Sequence, residues 1–450
     1  MSSIMPYDKA RRKILKSYLL ELEEDAGGKD RLPHDKIIIK GKVQTIPVYK
    51  IECNDLYFNK SNGRIKSEVL KKEAELGRNL EVSDADDQSI IRDILLGIGI
   101  EENKKIKEDL RNNGQLRPGI ITCDGLVING NRRKALFEEL YKERHNSKYK
   151  ALEVQVLPST MTKAELWLIE AGIQMSAPQQ LDYSPINNLL KLREGIDSGL
   201  EIAYMATRIF GVSIDKIKKD LDHLELIDEF LKDFLDKGDR YYLVENLIEH
   251  FIDLHNIITR VGNRRKPNNA NWEWDESDII ELKLVAFYYI RHKFAHLRIR
   301  DLQKLFINAE TWQLVKRALH LEIKLSEEEL IQFSPQAEIE FETDEEIEDN
   351  ESIDVSAKPT IVEQRDKLEE TLWRQKHDKA LKEYFEDAME TAQIIQDSKQ
   401  PLTLAKKALK NINAITDDSD QLNMKEIDNV LGEIIIRVNA LRKITRMFRS

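Results

Sequence analysis

Apolar and polar positions follow two rhythms along this chain, and the rhythm changes near Pro158. Upstream, short β-prone apolar runs at Ile37–Ile39, Thr45–Ile51 and Leu152–Val156 predict strands. Two more runs, one ending at Ile121 and one starting at Leu126, flank Asp124-Gly125 and predict a hairpin. Between these strands the spacing is helical. Ile14, Leu15, Tyr18, Leu19 and Leu22 fall on one side of a helix over Tyr7–Glu24, which Asp25-Ala-Gly-Gly ends. Further helices are expected over Lys66–Leu76, Asp87–Gly97, Ile100–Asn113 and Arg133–Arg144. The stretch Tyr57–Ile65 reads as a turn that presents Asn62 and Arg64.

Beyond Pro158 the strand signal vanishes and helix follows helix. Lys163–Gln174 is helical, and Pro178–Pro185 is a linker with turn chemistry. Ile202–Ile209, Gly211 and Ser213–Leu226 read as two helices joined by a tight turn. As a DNA-reading helix-turn-helix, the second would bury Ile214, Ile217 and Leu221 and present Ser213, Asp215, Lys216, Lys219 and Asp220. The plain alternative is an ordinary helical hairpin. A loop from Arg260 to Trp274 holds Arg264, Arg265 and Lys266 beside Trp272 and Trp274. Such interleaving suits a nucleic-acid backbone, or a solvated loop whose tryptophans anchor in a helical core. The last helices, Ile361–Gln396, Leu402–Ile412 and Met424–Phe448, carry apolar stripes suited to a bundle or dimerisation module.

The overall pattern is α+β, a small α/β domain followed by all-α segments. Expected boundaries are an N-terminal helix in residues 1–35, the α/β domain in 36–158, and a helical linker with helix-turn-helix in 159–236. An all-α domain in 237–335, an acidic linker in 336–360 and a C-terminal helical module in 361–450 complete the chain.

Charge changes this picture in one place. The formal net charge is −11, but Leu325–Ala357 holds 13 Asp or Glu and no Lys or Arg. The rest carries 70 basic against 68 acidic residues, so the global sign does not exclude a polyanion partner. Glu338–Asp354 reads as a disordered acidic tether, a candidate contact for a protein partner. Cys53 and Cys123 are the only cysteines, which fits neither a disulfide framework nor a zinc site and suits a reducing cytoplasm. No run is apolar enough to span a membrane, and Met1–Lys16 lacks the core of a signal peptide.

The candidate chemistry sits at Gly130-Asn131-Arg132-Arg133, where a strand ends and a helix begins. Unpaired N–H groups at a helix start, together with two adjacent guanidinium groups, suit a phosphate. The bland alternative is turn chemistry and surface charge. The Walker phosphate loop, the Gly-x-Gly-x-x-Gly run, the Gly-x-Ser-x-Gly elbow and the His-Glu-x-x-His helix are all absent.

Gly114-x-Leu116-x-Pro118, the hairpin, Gly130-Asn131-Arg132-Arg133-x-Ala135, a closing strand and then a helix-turn-helix resemble the ParB family, which is related to sulfiredoxin. The resemblance covers roughly Ile37–Asp233. It implies an N-terminal domain that grips the triphosphate of CTP, with ATP as the other candidate, and a DNA-binding domain after it. By position, Gly114, Arg117, Gly130, Asn131, Arg132 and Arg133 would contact the nucleotide, and Glu170 would correspond to an acidic residue near Mg²⁺. Leu181-Asp182-Tyr183-Ser184-Pro185 would match the following motif. The chain departs from the family at four points: Asn131 replaces the motif glutamate, Arg117 a glutamine and Ala171 an asparagine, and the Ala206–Gly211 spacing is one residue longer.

Three functions follow as expectations. The first is a DNA-binding protein, expected as a homodimer, whose nucleoside triphosphate gates DNA binding or dimer closure. The second is a nuclease or triphosphate-dependent phosphotransferase with Asp124 and Glu170 as acid–base candidates. The third is an interaction scaffold in a mobile-element or defence complex, working through the acidic linker and terminal helices.

Overall fold

In the computed structural model of the chain, residues 7–39, 42–175, 184–263, 270–326, 329, 361–413 and 424–447 are described. The linker expected at 336–360, the segment 181–183 and the basic triplet Arg264, Arg265 and Lys266 lie outside them. The chain falls into two compact units, Met1–Ala388 and Met389–Ser450.

The first unit is mixed α+β. Five strands, β1 (His34–Ile39), β2 (Lys42–Glu52), β3 (Gly119–Ile121), β4 (Val127–Asn129) and β5 (Ala151–Val156), form one sheet in the order β1-β2-β5-β3-β4. All neighbours are antiparallel except β3 and β5, which run parallel. Every strand expected from the apolar runs is present. The parallel pair requires a crossover, which the helix α5 (Asn131–Arg144) supplies. One sheet face packs Tyr49, Ile51, Leu152 and Val154 against Leu136, Phe137 and Leu140 of α5 and Leu15 of α1 (Lys9–Asp25). The other packs Ile39, Ile120 and Ile128 against Leu166 and Ile169 of α6 (Lys163–Met175). A third cluster joins Val69 of α2 (Lys66–Leu76) and Ile91 and Leu95 of α3 (Ala85–Gly97) to Ala135 of α5. The helix α4 (Ile100–Asn113) ends at Gly114 in the left-handed region (φ 72°), as its Asn-Asn-Gly ending predicts.

The helical pair follows α7 (Pro185–Asp197). Its first member starts as α8 (Ile202–Tyr204) and continues as a π-helix over Met205–Phe210. Gly211, left-handed at φ 63°, closes it by donating to the Ala206 carbonyl, five residues back. The turn from Met205 to Phe210 is thus wider than an α-helical one. The second member, α9 (Ile214–Asp228), is capped by Ser213, whose hydroxyl accepts from the Lys216 N–H at 3.1 Å. Ile217 is buried against Trp167, Leu192, Met205 and Ala206. Ile214, expected inside, is instead 39% exposed. It occupies the first helical position of α9, directly after the Ser213 cap.

The remaining helices of this unit are α10 (Ile248–Asn263), α11 (Glu276–Arg291), α12 (His296–Phe306) and α13 (Ala309–Lys316). Sequence spacing suggests two helices between Ile361 and Ile412; there is one, α14 (Ile361–Asn413). The C-terminal module expected over 361–450 therefore divides elsewhere. The start of α14 belongs to the first unit and buries Trp373 and Phe385. Trp373 lies beside Tyr288, and Phe385 against Tyr289 and Phe294. In the second unit, the rest of α14 and α15 (Met424–Met447) expose Leu404, Leu409, Ile435 and Ile436.

Candidate anion site at the start of α5

The N-cap of α5 is Gly130, at φ 111°, and no side chain caps the helix. Glycine is favoured here by the left-handed backbone, while an added Cβ would meet only ordinary contacts, 3.5 Å from the Gly119 Cα. Gly119 is tighter still, since its Cβ would lie 3.0 Å from the Asn129 carbonyl oxygen. The two glycines let the strand-to-helix turn press against β3. The start of α5, Gly130 to Arg133, then borders a pocket of about 210 Å³.

Asn62, Arg64, Asn129, Arg132 and Arg133 supply its polar lining, and Ile65, Leu95 and Ile106 supply an apolar wall. No carboxylate lines it. Arg132 is half-buried, and its Nε is shielded from solvent with no hydrogen-bond partner. Burial, and then the nearby Arg64 guanidinium, push the Arg132 pKa down to about 10. Burial and Arg117 do the same to Arg133. Arg133 is aimed by its neighbours: it donates to the Arg117 carbonyl and, at 3.1 Å, to Asn129 Oδ1. The Glu102 carboxylate acts on the Arg132 pKa in the opposite sense but does not offset burial and Arg64.

The structure brings some predicted residues together and not others. Gly130, Arg132 and Arg133 line the pocket, with the turn that presents Asn62 and Arg64 as the facing wall. Asn131 also borders it, but both ends of its amide are used. Its Oδ1 accepts from the Asn59 N–H at 2.9 Å and its Nδ2 donates to the Val127 carbonyl at 2.9 Å. Arg117 contributes its carbonyl to Arg133 while its side chain is exposed. Gly114 is not part of the lining and serves as the terminus of α4. Leu95 and Ile106 had no local signal, because they reach the pocket only through the packing of α3 and α4.

The two acid–base candidates lie apart, each engaged in the fold. Asp124 is buried; one oxygen accepts from the Asp8 N–H at 3.0 Å and the other from the Thr122 hydroxyl, with Arg11 3.6 Å away. Glu170 is buried between the Gly63 N–H, 3.0 Å from Oε1, and the Lys191 ammonium, 2.8 Å from Oε2. With a buried ammonium on one oxygen and an N–H on the other, Glu170 does not fit Mg²⁺. Among the described residues, no group of three or more His, Cys, Asp or Glu is placed to hold a metal ion.

On the helical pair, Ser213, Lys216 and Lys219 are exposed, as are Lys218, Asp215, Asp222 and Glu225. Lys216 is paired with Asp220 at 2.6 Å. Trp272 donates to the Phe306 carbonyl at 2.7 Å and Trp274 is buried, so both tryptophans anchor their loop in the helical core. Among the described residues, no helix is long and apolar enough to cross a membrane. No protein-family model matches the chain, and no curated protein matches it.

Proposed function

We propose that this chain binds a nucleoside triphosphate at the start of α5 and that the ligand governs DNA binding by the helical pair α8–α9. One observation carries the reading: Arg132, with a buried and unpartnered Nε, faces a pocket lined by Arg64 and Arg133 and by no carboxylate. Guanidinium groups bind phosphate oxygens through charge-assisted, often bidentate hydrogen bonds. The uncapped helix start adds N–H donors on the same side. The apolar wall of Ile65, Leu95 and Ile106 gives the rest of the ligand, a base or sugar, a surface to pack on. Arg132, Arg133 and Arg64 hold the phosphates, and Gly130 lets the backbone approach them.

The DNA half of the reading rests on α9, whose exposed face carries Ser213, Lys216, Lys218 and Lys219. Its acidic neighbours keep that face from being strongly basic, so its contribution to backbone binding is modest and salt-sensitive. The ParB resemblance places both halves in this order. CTP and ATP are both candidates, and a homodimer is the expected state.

Calorimetry with each of the four ribonucleoside triphosphates and Mg²⁺ tests the first half. Binding by the intact chain, abolished in Arg132→Ala, supports it; no heat with any of the four removes it. A mobility-shift titration at low salt, with and without the triphosphate, tests the second. DNA affinity that does not respond to nucleotide sinks the regulatory link.

A further inference from the structure

The wall of the pocket opposite α5 is the loop Asn59–Ile65, and its hydrogen bonds lead away from the sheet domain. On one side the Asn59 N–H is held by Asn131 of α5 at 2.9 Å. On the other, the Gly63 N–H is held by Glu170 of α6 at 3.0 Å, and the Ser67 N–H by Asn187 of α7 at 2.9 Å. The Asn187 amide donates back to the Arg64 carbonyl at 3.3 Å. Lys191 of α7 closes the circuit, 2.8 Å from Glu170 and 2.8 Å from Glu194. Glu170, Asn187 and Lys191 are all buried. Trp167 of α6 donates to the Lys191 carbonyl at 3.1 Å and packs with Ala206 and Ile217 of the helical pair. Between α5 and α7, therefore, the segment carrying Asn62 and Arg64 is fastened at each end by a buried side chain.

Each clasp follows from local chemistry. The loop's own turns use Asn59 Oδ1 for the Ser61 N–H at 3.0 Å and Asn62 Oδ1 for the Arg64 N–H at 3.1 Å. The Gly63 N–H lies outside those turns and the Ser67 N–H belongs to the first turn of α2, which has no side-chain cap, so both are buried donors that need partners from elsewhere. Glu170 and Asn187 are those partners, and both lie on helices that lead to α8–α9. A shift of α7 by a fraction of a hydrogen-bond length breaks the Asn187 pair and moves the Arg64 backbone with it.

We propose that Asn187 and Glu170 are positioning residues for the anion site, joining the Arg64 wall of the pocket to the helices that carry α8–α9. The inference rests on the triphosphate reading of that site. Arg64 grips the ligand only while α7 is docked, so ligand binding and docking of α7 strengthen each other. Glu170 then acts through the loop and the Lys191 pair, not through a metal ion.

A double-mutant cycle tests this on the full-length protein, with inorganic tripolyphosphate as the base-free probe in calorimetry. Asn187→Asp keeps the acceptor for Ser67 and the side-chain shape but loses the donor to Arg64. It should weaken the probe roughly tenfold, about the value of one lost buried hydrogen bond. In an Arg64→Ala background the same change should cost less than about twofold, because the wall no longer contributes. Amide exchange over residues 185–197 should slow on probe binding in the unmodified chain and not in Asn187→Asp. Thermal melts of each variant verify folding, and Asn187→Ser serves if the aspartate does not fold. Equal losses in both backgrounds, or unchanged exchange over 185–197 when the probe binds, overturn the positioning role while leaving the anion site standing. No binding of the probe or of any ribonucleoside triphosphate by the unmodified chain overturns both.

Discussion

Two regions of the first unit bury arginine, and they treat it in opposite ways. In the helical region Arg291 lies against the Trp373 ring and makes two hydrogen bonds to Glu370, at 2.8 and 2.9 Å. Lys237 joins Glu370 at 3.2 Å and Asp366 at 3.4 Å, and Arg240 reaches Asp366 at 2.5 Å. Each cation there faces a carboxylate supplied by the start of α14. At the start of α5, by contrast, Arg64, Arg132 and Arg133 share a pocket that no carboxylate lines. A satisfied buried pair fixes one helix on another. The pocket at α5 instead gathers its guanidinium groups around a space that no carboxylate lines, and this is the contrast on which the proposed anion site rests.

Breaking the satisfied cluster should have the largest effect. Glu370→Ala leaves Arg291 buried and unpaired, and should cost about 3–5 kcal/mol in urea unfolding. The pH dependence follows from the same contact. Burial pushes the Glu370 carboxyl up, but the hydrogen bonds and charge of Arg291, with Lys237, outweigh it and hold the pKa below the usual value of 4.5. Stability from this group is therefore complete above 4.5 and lost as pH falls through the lower folded-state value. Glu370→Gln should flatten that acid limb, and an unchanged limb would break the comparison.

The contrasting substitution is Arg132→Met. Ligand at a hundred times its Kd should raise the unfolding free energy of the unmodified chain by about 2.7 kcal/mol, and the variant should lose that gain. Without ligand the variant should be no less stable than the parent, within about 1 kcal/mol, because it removes a buried Nε that makes no hydrogen bond from a pocket that no carboxylate lines. A ligand-free loss as large as that of Glu370→Ala would mean that Arg132 belongs to the fold. A smaller effect is expected at the hinge of the site. Gly130→Ala forces a Cβ into φ 111° and should cost about 1–2 kcal/mol in a thermal melt, weakening the triphosphate as well. Smallest of all, Lys216→Ala breaks an exposed pair with Asp220, and should change stability by less than about 0.5 kcal/mol while lowering the salt slope of DNA binding by about one unit.

Much of this was legible in the residues, and the failures are instructive. Asp124-Gly125 marked the hairpin, and Gly130 marked the strand-to-helix turn with Arg132 and Arg133 in its first helical positions, because both depend on neighbours in sequence. Asn62 and Arg64 were legible as a turn, but not as the facing wall, since that depends on how α2 and α3 pack on α5. Glu170 was misjudged for a related reason. Its carboxylate looks available for Mg²⁺ until Lys191, on the next helix, is placed 2.8 Å away. Ile214 failed for another reason: it is the first residue of α9, and apolar periodicity does not show where along a helix burial begins.

By itself, then, the chain's pattern determined the elements: five strands, the strand-to-helix turn at Gly130, the helical pair around Gly211 and the charge at Arg132-Arg133. These are local, fixed by periodicity, by glycine at positive φ and by the residue types at a helix start. The tertiary structure alone decided which charges are matched. It gave Glu370 to Arg291 and Glu170 to Lys191, and left no carboxylate in the lining beside Arg132, because pairing of buried groups depends on distances across helices that are far apart in sequence.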